Sequence, residues 1–301
     1  MKANSVIHPK MLGISRSRRF SPNSIGRDEA IFMAVANRLQ RLGGDISIIS
    51  EDLFVGVDLS EFSLVFSMAR GRDVLKDLAE AEKQCELIVV NSATKLLNST
   101  RAELCRMFRE AHVPKPNTVV CNPLQDDCPS IIAEHHLQMP LWLKRGDACA
   151  QSATDVRQVK SADELEQAIR EYVQNGISSL CIEEHLEGDL IKFYGVQGSG
   201  FFVLSYPTEN QGFSKFGLEH HNSEVHHYAF DQQALHRIAE KASAASGFTI
   251  YGGDAIIRCD GSFALIDFND WPSFSSCRKE AAKAIAQRIY QELENRQTQT
   301  Q

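Results

Sequence analysis

The sequence feature that most constrains the fold is a predicted β-hairpin near the C-terminus of the 301-residue chain. Two apolar runs, residues 255–257 and 263–266, flank the polar turn Asp260-Gly261. Short apolar runs on either side of an Asp-Gly turn are typical of a hairpin that buries one face. We therefore expect an antiparallel sheet in the last third of the chain, built around a two-residue turn.

Oxygen-bearing side chains stand at the open end of this predicted hairpin. Asp254 begins the first strand, and Asp267 and Asn269 end the second. Residues 267 and 269 share one face because side chains alternate along a strand, and the hairpin folds Asp254 back beside them. Hard oxygen ligands suit Mg²⁺, which shares its other coordination positions with water and phosphate oxygens. These three residues are a predicted magnesium site.

The N-terminal part of the chain, residues 10–90, alternates between predicted strands and helices, which favours a parallel sheet. The loop after its first strand carries Arg16, Arg18, Arg19 and Asn23. Open α/β sheets bind ligands at the carboxyl ends of their strands, and arginine holds carboxylate or phosphate groups, so this loop is a candidate substrate site. Solvated surface charge explains Arg18 and Arg19 equally well. No G-x-G-x-x-G follows the strand, which argues against a dinucleotide-binding Rossmann fold.

The middle of the chain predicts a second unit of strands and helices. A helix begins at Arg101, and a strand ends at Lys144 before a loop of small residues at 145–152. A loop of this kind is suited to closing over phosphates, although short loops of small residues are common. A later polar stretch contains paired histidines at 220–221 and 226–227, which we interpret as a solvated or substrate-lining loop in preference to a metal site.

Taken in order, these elements resemble the ATP-grasp superfamily, and within it the RimK-like carboxylate–amine ligases and the inositol trisphosphate kinases. The resemblance covers nearly the whole chain and rests on Asn91-Ser92, the helix from Arg101 into Val113-Pro114-Lys115-Pro116, Pro140 to Lys144 with its loop, Glu183-Glu184-His185-Leu186 with Gly188-Asp189 and Lys192, and Asp254 with Asp267, Asn269 and Pro272. It implies an α/β (α+β) ATP-grasp fold. An N-terminal Rossmann-like parallel-sheet domain (1–92) would precede two α+β subdomains (93–184 and 185–301) that sandwich ATP.

The same resemblance implies roles for individual residues. The nucleotide would be bound by Arg101, Lys144, Glu183, Glu184, His185, Leu186 and Asp189, with Lys144 and Arg101 on the phosphates and adenine against the backbone of 184–186. Asp254, Asp267 and Asn269 would hold two divalent ions, either Mg²⁺ or Mn²⁺. Lys192 and Arg258 would be catalytic, and Arg16, Arg18, Arg19, Asn23, Lys215, His220 and Arg278 would bind the second substrate.

The departures from the usual pattern keep the reaction open. Arginine stands at position 101, where the superfamily usually has lysine. RimK-like ligases usually have arginine in place of Lys192 and glutamate in place of Asp267, whereas the inositol kinases resemble this chain at both positions. The first hypothesis is an ATP- and Mg²⁺-dependent ligase that converts a carboxylate to an acyl phosphate for capture by an amine. The alternatives are a kinase of a polyanionic small molecule and an inactive ATP-binding protein.

Composition narrows the set of partners. The formal net charge of −7 and the lack of a long basic run argue against a nucleic-acid partner. No apolar run approaches the roughly 18 residues that a membrane span requires, and the N-terminus does not resemble a signal peptide, so we expect a cytoplasmic protein without a membrane partner. The eight cysteines contain no C-x-x-C pair and are expected to be reduced. A small carboxylate or polyanion is the expected partner, and the sequence leaves a homodimer open.

Overall fold

The N-terminal alternation of strands and helices forms a parallel sheet. The computed structural model of the chain describes residues 8–21, 23–84, 87–147, 153–207 and 225–299. The elements of this first part are β1 (Lys10–Ser15), α1 (Ile25–Arg41), β2 (Asp45–Ser50), β3 (Leu64–Ser67), α2 (Arg72–Gln84), β4 (Ile88–Val90) and α3 (Ala93–Leu97). The strands lie in the order β2-β1-β3-β4, and all three pairs are parallel. Helix α1 buries Ile31, Val35 and Leu39, which is the face that their spacing predicts.

The middle of the chain forms an antiparallel sheet. Its elements are α4 (Arg101–Glu110), β5 (Thr118–Cys121), α5 (Cys128–Glu134), β6 (Leu141–Arg145), β7 (Val156–Val159), α6 (Ala162–Gln174) and β8 (Leu180–Glu184). The strands lie in the order β5-β8-β6-β7. Local sequence sets the helix starts, since the side chains of Thr100, Asp127 and Ser161 accept hydrogen bonds from the first turns of α4, α5 and α6.

The last third forms a second antiparallel sheet around the predicted hairpin. Its elements are β9 (Asp189–Val196), β10 (Phe202–Ser205), α7 (Gln232–Ser246), β11 (Ile250–Ile257), β12 (Phe263–Asp270) and α8 (Arg278–Gln299), with the strand order β10-β9-β11-β12. The prediction of a two-residue turn was wrong, because Arg258 N–H donates to Ser262 C=O and residues 258–262 form the loop. An irregularity between Asp254 and Ala255 shifts the pairing and keeps Asp254 opposite Asp267.

Each sheet lies inside one of the predicted segments 1–92, 93–184 and 185–301, but side-chain packing crosses these boundaries. The core of the parallel sheet includes Trp271, Phe274 and Ile285 from the last third of the chain. Helix α4, which belongs to the middle segment by sequence, packs Phe108 edge-on against Phe268 of β12 at a centroid distance of 5.4 Å. The three segments therefore share their cores, and the boundaries themselves stay predictions.

The described part of the chain contains no helix that could span a membrane and no disulfide. None of the helices in the ranges given above is long and apolar enough to cross a membrane. Six of the eight cysteines fall within these ranges, and all six are free thiols.

Candidate functional site

Lysine 144 connects the two antiparallel sheets. It lies on β6, and its ammonium donates to Glu183 Oε2 on β8 at 2.5 Å and to the carbonyl oxygen of Ile266 on β12 at 2.8 Å. Both Lys144 and Glu183 are buried. Because the sheets face each other here, the side chains on their inner faces line one cleft.

The third sheet presents four polar side chains to this cleft. Asp254 on β11 lies opposite Lys192 on β9 and opposite Asp267 on β12, and cross-strand partners in an antiparallel sheet point to the same face. Asn269 follows Asp267 by two residues and shares that face. The Lys192 ammonium is 3.2 Å from Asp254 Oδ1, and the Asn269 amide donates to Asp267 Oδ2 at 2.9 Å. The register thus brings together the three predicted metal ligands and one predicted catalytic lysine.

Residue 253 on β11 must be glycine for the strands to pair in this register. A Cβ atom at Gly253 would collide with the carbonyl oxygen of Asp267 and with the ring of Phe193. Strands β11 and β12 can therefore approach closely enough beside Asp254 and Asp267 only because residue 253 has no side chain.

Arginine 101 reaches the cleft from the first residue of α4. Its Nη2 is 3.9 Å from Asp267 Oδ1, and its Nη1 donates to the carbonyl of Arg145 at 2.7 Å. Burial opposes the charged form of Asp267, but Arg101 and Lys144 outweigh it, so the pKa of this carboxyl lies below its usual value. Asp267 is therefore ionised and able to accept a cation at neutral pH.

Lysine 115 also lies in the cleft, although the sequence predicts no role for it. Its ammonium lies 3.5 Å from Glu183 Oε1, and only 14% of its side chain is exposed. Burial alone would lower the pKa of Lys115, but the nearby Glu183 carboxylate raises it above its usual value. The available signal was its place between Pro114 and Pro116, just before β5, because two prolines restrict where the intervening side chain can point.

An apolar surface lies beside these charges. Leu190, Ile256 and Ala264 are paired across β9, β11 and β12 on the face that also carries Lys192, and they pack with Leu186 in one cluster. Residues 184–186, which are predicted to border adenine, lie at this surface, and Leu186 is part of it. The backbone of Glu184 pairs with Asn117, whose N–H also donates to Glu184 Oε1 at 2.8 Å.

The side chain of His185, another residue predicted to border adenine, is held by Trp142. The indole Nε1–H donates to His185 Nδ1 at 3.1 Å, and the His185 N–H donates to the carbonyl of Pro140. Burial lowers the pKa of His185, so its imidazole is neutral at physiological pH.

The donor atoms in the cleft fit a hard divalent cation. Among the residues that the structure describes, no three His, Cys, Asp or Glu side chains are grouped to hold a metal ion. The candidate set is instead two carboxylates, Asp254 and Asp267, completed by the amide of Asn269. Oxygen-only sets with few protein ligands are typical of Mg²⁺, which keeps water or phosphate oxygens as its other ligands.

Two predicted site residues have structural roles instead. Arg16 is a predicted substrate ligand, but it is nearly buried and donates to Asp28 Oδ2 and to the carbonyls of Met68 and Trp271. Asp189 is a predicted nucleotide ligand, but its two carboxylate oxygens accept the N–H groups of His226 and Tyr228 at 2.7 and 2.9 Å.

Arg258, the second predicted catalytic residue, lies in the exposed hairpin loop. It is four residues beyond Asp254, which corresponds to about 13 Å along a strand. The structure does not bring it to the cluster of Lys192 and Asp254, because Arg258 lies beyond the end of β11 and Asp254 lies in the middle of that strand.

The other predicted substrate residues are exposed or outside the described ranges. Arg18, Arg19 and Asn23 are exposed beyond the carboxyl end of β1, and Arg278 is half-buried at the first residue of α8. Lys215, His220 and most of the 145–152 loop lie outside the described residues. Their proposed contacts therefore stay predictions.

Comparison with solved structures identifies the fold. A RimK domain ATP-grasp protein from Sphaerobacter thermophilus superposes with a TM-score of 0.67 at 17% identity, over 93% of this chain and 99% of that one. The chain has the ATP-grasp fold. The D-alanine–D-alanine ligase of Bacillus anthracis complexed with ATP is similar at a TM-score of 0.65 and 14% identity, over 96% of this chain and 99% of that one.

The VanG D-Ala:D-Ser ligase of Enterococcus faecalis is a further ATP-grasp neighbour, with a TM-score of 0.67 and 14% identity over 95% of this chain and 99% of that one. No protein-family model and no curated protein sequence matches the chain. The likeness is therefore one of fold at low identity, and it confirms the ATP-grasp fold that the sequence predicts.

Proposed function

We propose that this ATP-grasp chain is an ATP- and Mg²⁺-dependent ligase that joins a carboxylate to an amine. The observation that carries the proposal is the meeting of cations and carboxylates in one cleft. Arg101 and Lys144 approach from the middle segment, and Lys192, Asp254 and Asp267 approach from the last sheet. Two of the structural neighbours are ligases, which supports the choice of reaction.

The nucleotide would lie across the cleft with its base on the apolar surface of Leu186, Leu190, Ile256 and Ala264. The backbone of residues 184–186 would border the base, and Glu183 would lie within reach of its amino group. Lys144 and Arg101 would bind the phosphates by exchanging Glu183 and Asp267 for phosphate oxygens. The neighbour from Bacillus anthracis was solved with ATP, which supports a nucleotide in this fold.

Magnesium would be held by Asp254, Asp267 and Asn269, and the resemblance favours two ions, for which Mn²⁺ is a substitute. When bound, Mg²⁺ neutralises the negative charge of the β- and γ-phosphates. Asp254 would then lose its partner Lys192, whose ammonium becomes available for the group being transferred. Arg258 has no part in this proposal because of its distance along β11.

The reaction consists of two balanced steps. A carboxylate oxygen of the first substrate attacks the γ-phosphorus, the bond to the β-phosphate oxygen breaks, and ADP and an acyl phosphate result. The amine then attacks the acyl carbon, phosphate leaves and the amine loses a proton. Lys192 would stabilise the oxygens of the transferred phosphoryl group in both steps. The carboxylate or polyanion would be bound by Arg18, Arg19, Asn23 and Arg278, with Lys215 and His220 as further candidates.

A kinase is the second candidate, and Lys192 and Asp267 favour it because the inositol kinases resemble this chain at both positions. The nucleotide site would be the same. An alcohol oxygen of a polyanionic small molecule would replace the carboxylate oxygen as the attacking group, so that a stable phosphate ester is the product. An inactive ATP-binding protein is the third candidate.

An acyl-phosphate trap distinguishes these candidates. The protein is incubated with ATP, Mg²⁺, pools of amino acids or short peptides, and hydroxylamine, which converts acyl phosphates to hydroxamates. The ligase proposal predicts hydroxamate formation that depends on the carboxylate pool, and phosphate release without hydroxylamine that depends on an amine. Phosphate retained on an inositol phosphate or another polyol would support the kinase. Nucleotide binding without turnover in any pool would support the inactive protein.

The variant Asp267→Asn tests the metal assignment in the same assay. We expect turnover to fall by roughly 100-fold or more, because a carboxylate that holds the charge-neutralising ion is lost. The control is Asp73→Asn, whose side chain is 98% exposed on α2. Circular dichroism should show both variants folded, and full activity of Asp267→Asn would contradict the assignment.

A further inference from the structure

We propose that Lys115 is a positioning residue of the nucleotide site, and that it takes over the charge of Glu183 when Lys144 moves to the nucleotide phosphates. The inference rests on the proposed function, since it needs a nucleotide that draws Lys144 away. It assigns a role to a lysine for which the sequence predicts none.

The backbone on both sides of Lys115 is fastened to the two facing sheets. The carbonyl of Pro114 accepts the N–H of Leu265 on β12 at 2.8 Å. The carbonyl of Pro116 accepts the Thr118 hydroxyl at 2.8 Å, and Asn117 next to it pairs with Glu184 on β8. The backbone at Lys115 is therefore held where the two sheets meet, and its ammonium reaches Glu183 in the cleft between them.

Glu183 depends on two lysines. Its Oε2 accepts a hydrogen bond from Lys144, whereas its buried Oε1 has no hydrogen-bond partner among the described residues. Lys115, at 3.5 Å, forms an ion pair with Oε1 that is too long for a hydrogen bond. The carboxylate is only 2% exposed, so the loss of Lys144 without replacement would leave a charge buried and unpaired. A small movement of Lys115 toward Oε1 removes that penalty.

The charged and titratable groups around Glu183 decide whether the loss of nucleotide affinity in a Lys115 variant grows or shrinks as the pH falls. They are the cations Lys115, Lys144 and Arg101, the thiols Cys105 on α4 and Cys181 on β8, and Asp267 beyond Lys115. Burial opposes ionisation of Glu183, and Lys144 and Lys115 outweigh it, so the pKa of Glu183 lies below its usual value. Removing Lys115 raises that pKa, and occupying Lys144 with phosphate raises it further. In the nucleotide complex of the variant, Glu183 should therefore take up a proton as the pH falls, which removes the cost of the unpaired buried charge, so the loss of nucleotide affinity should be largest at alkaline pH.

The test measures the Kd of Mg²⁺-ATP by titration calorimetry between pH 5.5 and 8.5 for the wild type, Lys115→Gln, Lys115→Arg and the control Lys76→Gln. Lys76 is a lysine on α2 whose side chain is 58% exposed. The ratio of the Kd of a variant to that of the wild type at each pH cancels the protonation of ATP itself. For Lys115→Gln we expect a ratio of roughly 10 or more at the alkaline end that declines toward the acid end, where protonation of Glu183 removes the unpaired charge. Lys115→Arg should stay within about threefold, and Lys76→Gln should match the wild type.

A constant ratio near 1 for Lys115→Gln overturns the proposal. So does a weakening that is independent of pH and equal for Lys115→Arg, because this is the behaviour of a residue needed only for packing. If Lys115→Gln does not fold, Glu183→Gln and the double variant Lys115→Gln/Glu183→Gln replace it. The proposal then expects the two Kd values to agree at every pH, and a further loss in the double variant overturns it. A wild type that binds no ATP overturns the proposed function itself, which a failure confined to the variants does not.

Discussion

At the scale of single residues, the partners of a side chain decide its role. Asp189 and Asp267 are both aspartates of the last sheet. Both oxygens of Asp189 accept backbone N–H groups, whereas Asp267 faces Arg101 and the Asn269 amide. The first therefore holds the chain at 226–228 against β9, and the second is available to a cation.

A stability measurement on Asp189→Asn checks this distinction. Asparagine offers one acceptor where aspartate offers two, so one N–H of His226 or Tyr228 loses its partner in this part-buried contact. We expect the free energy of unfolding to fall by roughly 1–3 kcal/mol, measured by urea denaturation. Asp77→Asn, an exposed position on α2, is the control and should change it by less than about 0.5 kcal/mol. An unchanged midpoint for Asp189→Asn would show that the carboxylate is not structural.

At the scale of elements, buried charges join the parallel sheet to the end of the predicted hairpin. Arg16 follows β1, and its guanidinium contacts Asp28 on α1 and lies 3.9 Å from Asp270 at the end of β12. Arg70, after β3, pairs with the same Asp270 at 2.6 Å. Asp270 comes directly after Asn269, so this network fixes the end of the strand that carries two candidate metal ligands.

The variant Arg16→Met separates this role from substrate binding. It leaves the buried Asp28 carboxylate without its cation, so we expect a loss of about 3–5 kcal/mol in the free energy of unfolding. Arg16→Lys should lose less, because it keeps the charge but not the planar fork. Arg18→Met, at an exposed position, should unfold like the wild type. Weaker substrate use by Arg16→Met with an unchanged unfolding curve would instead restore Arg16 to the substrate site.

At the scale of the whole molecule, the cleft exists only when the two antiparallel sheets are folded and face each other. A ligand that binds only the folded state stabilises it by about 2.7 kcal/mol at a concentration of 100 times its Kd. For a chain of this size, we expect Mg²⁺-ATP near that concentration to raise the Tm by about 4 °C in a thermal-shift measurement.

The control is to measure the same Tm shift without the metal. The shift with ATP should be smaller in EDTA than in Mg²⁺, and Asp267→Asn should reduce the difference between the two conditions. The absence of any shift at millimolar Mg²⁺-ATP would contradict a nucleotide site in this cleft.

Much of the architecture could be predicted from local sequence. The sequence predicts strands at 10–15, 45–50, 118–121 and 156–159 and helices at 72–84, 162–174 and 232–246, and β1, β2, β5, β7, α2, α6 and α7 have these bounds. The sequence also predicts that the last helix ends at residue 293 before a frayed polar tail, but helix α8 extends to Gln299. Local pattern is sufficient for most elements because caps, turns and apolar periodicity act over a few neighbouring residues.

The site was predictable only in part. The convergence of Asp254, Asp267 and Asn269 follows from strand alternation within one hairpin, and the structure brings these residues together. The irregular pairing at Asp254 and the longer loop after Ile257 compensate for each other, so the expected neighbours were correct although the predicted turn was not.

The sequence by itself determined the order of strands and helices, the ATP-grasp resemblance and the convergence of the three candidate oxygen ligands, because these depend on spacing along short stretches. Tertiary structure alone decided that Lys115 shares Glu183 with Lys144, that Arg16 is committed to Asp28, and that Arg258 lies away from Lys192. The physical reason is that burial and charge pairing arise between segments far apart in the chain. The sequence does not show whether a given lysine or arginine will face a carboxylate or solvent in the folded protein.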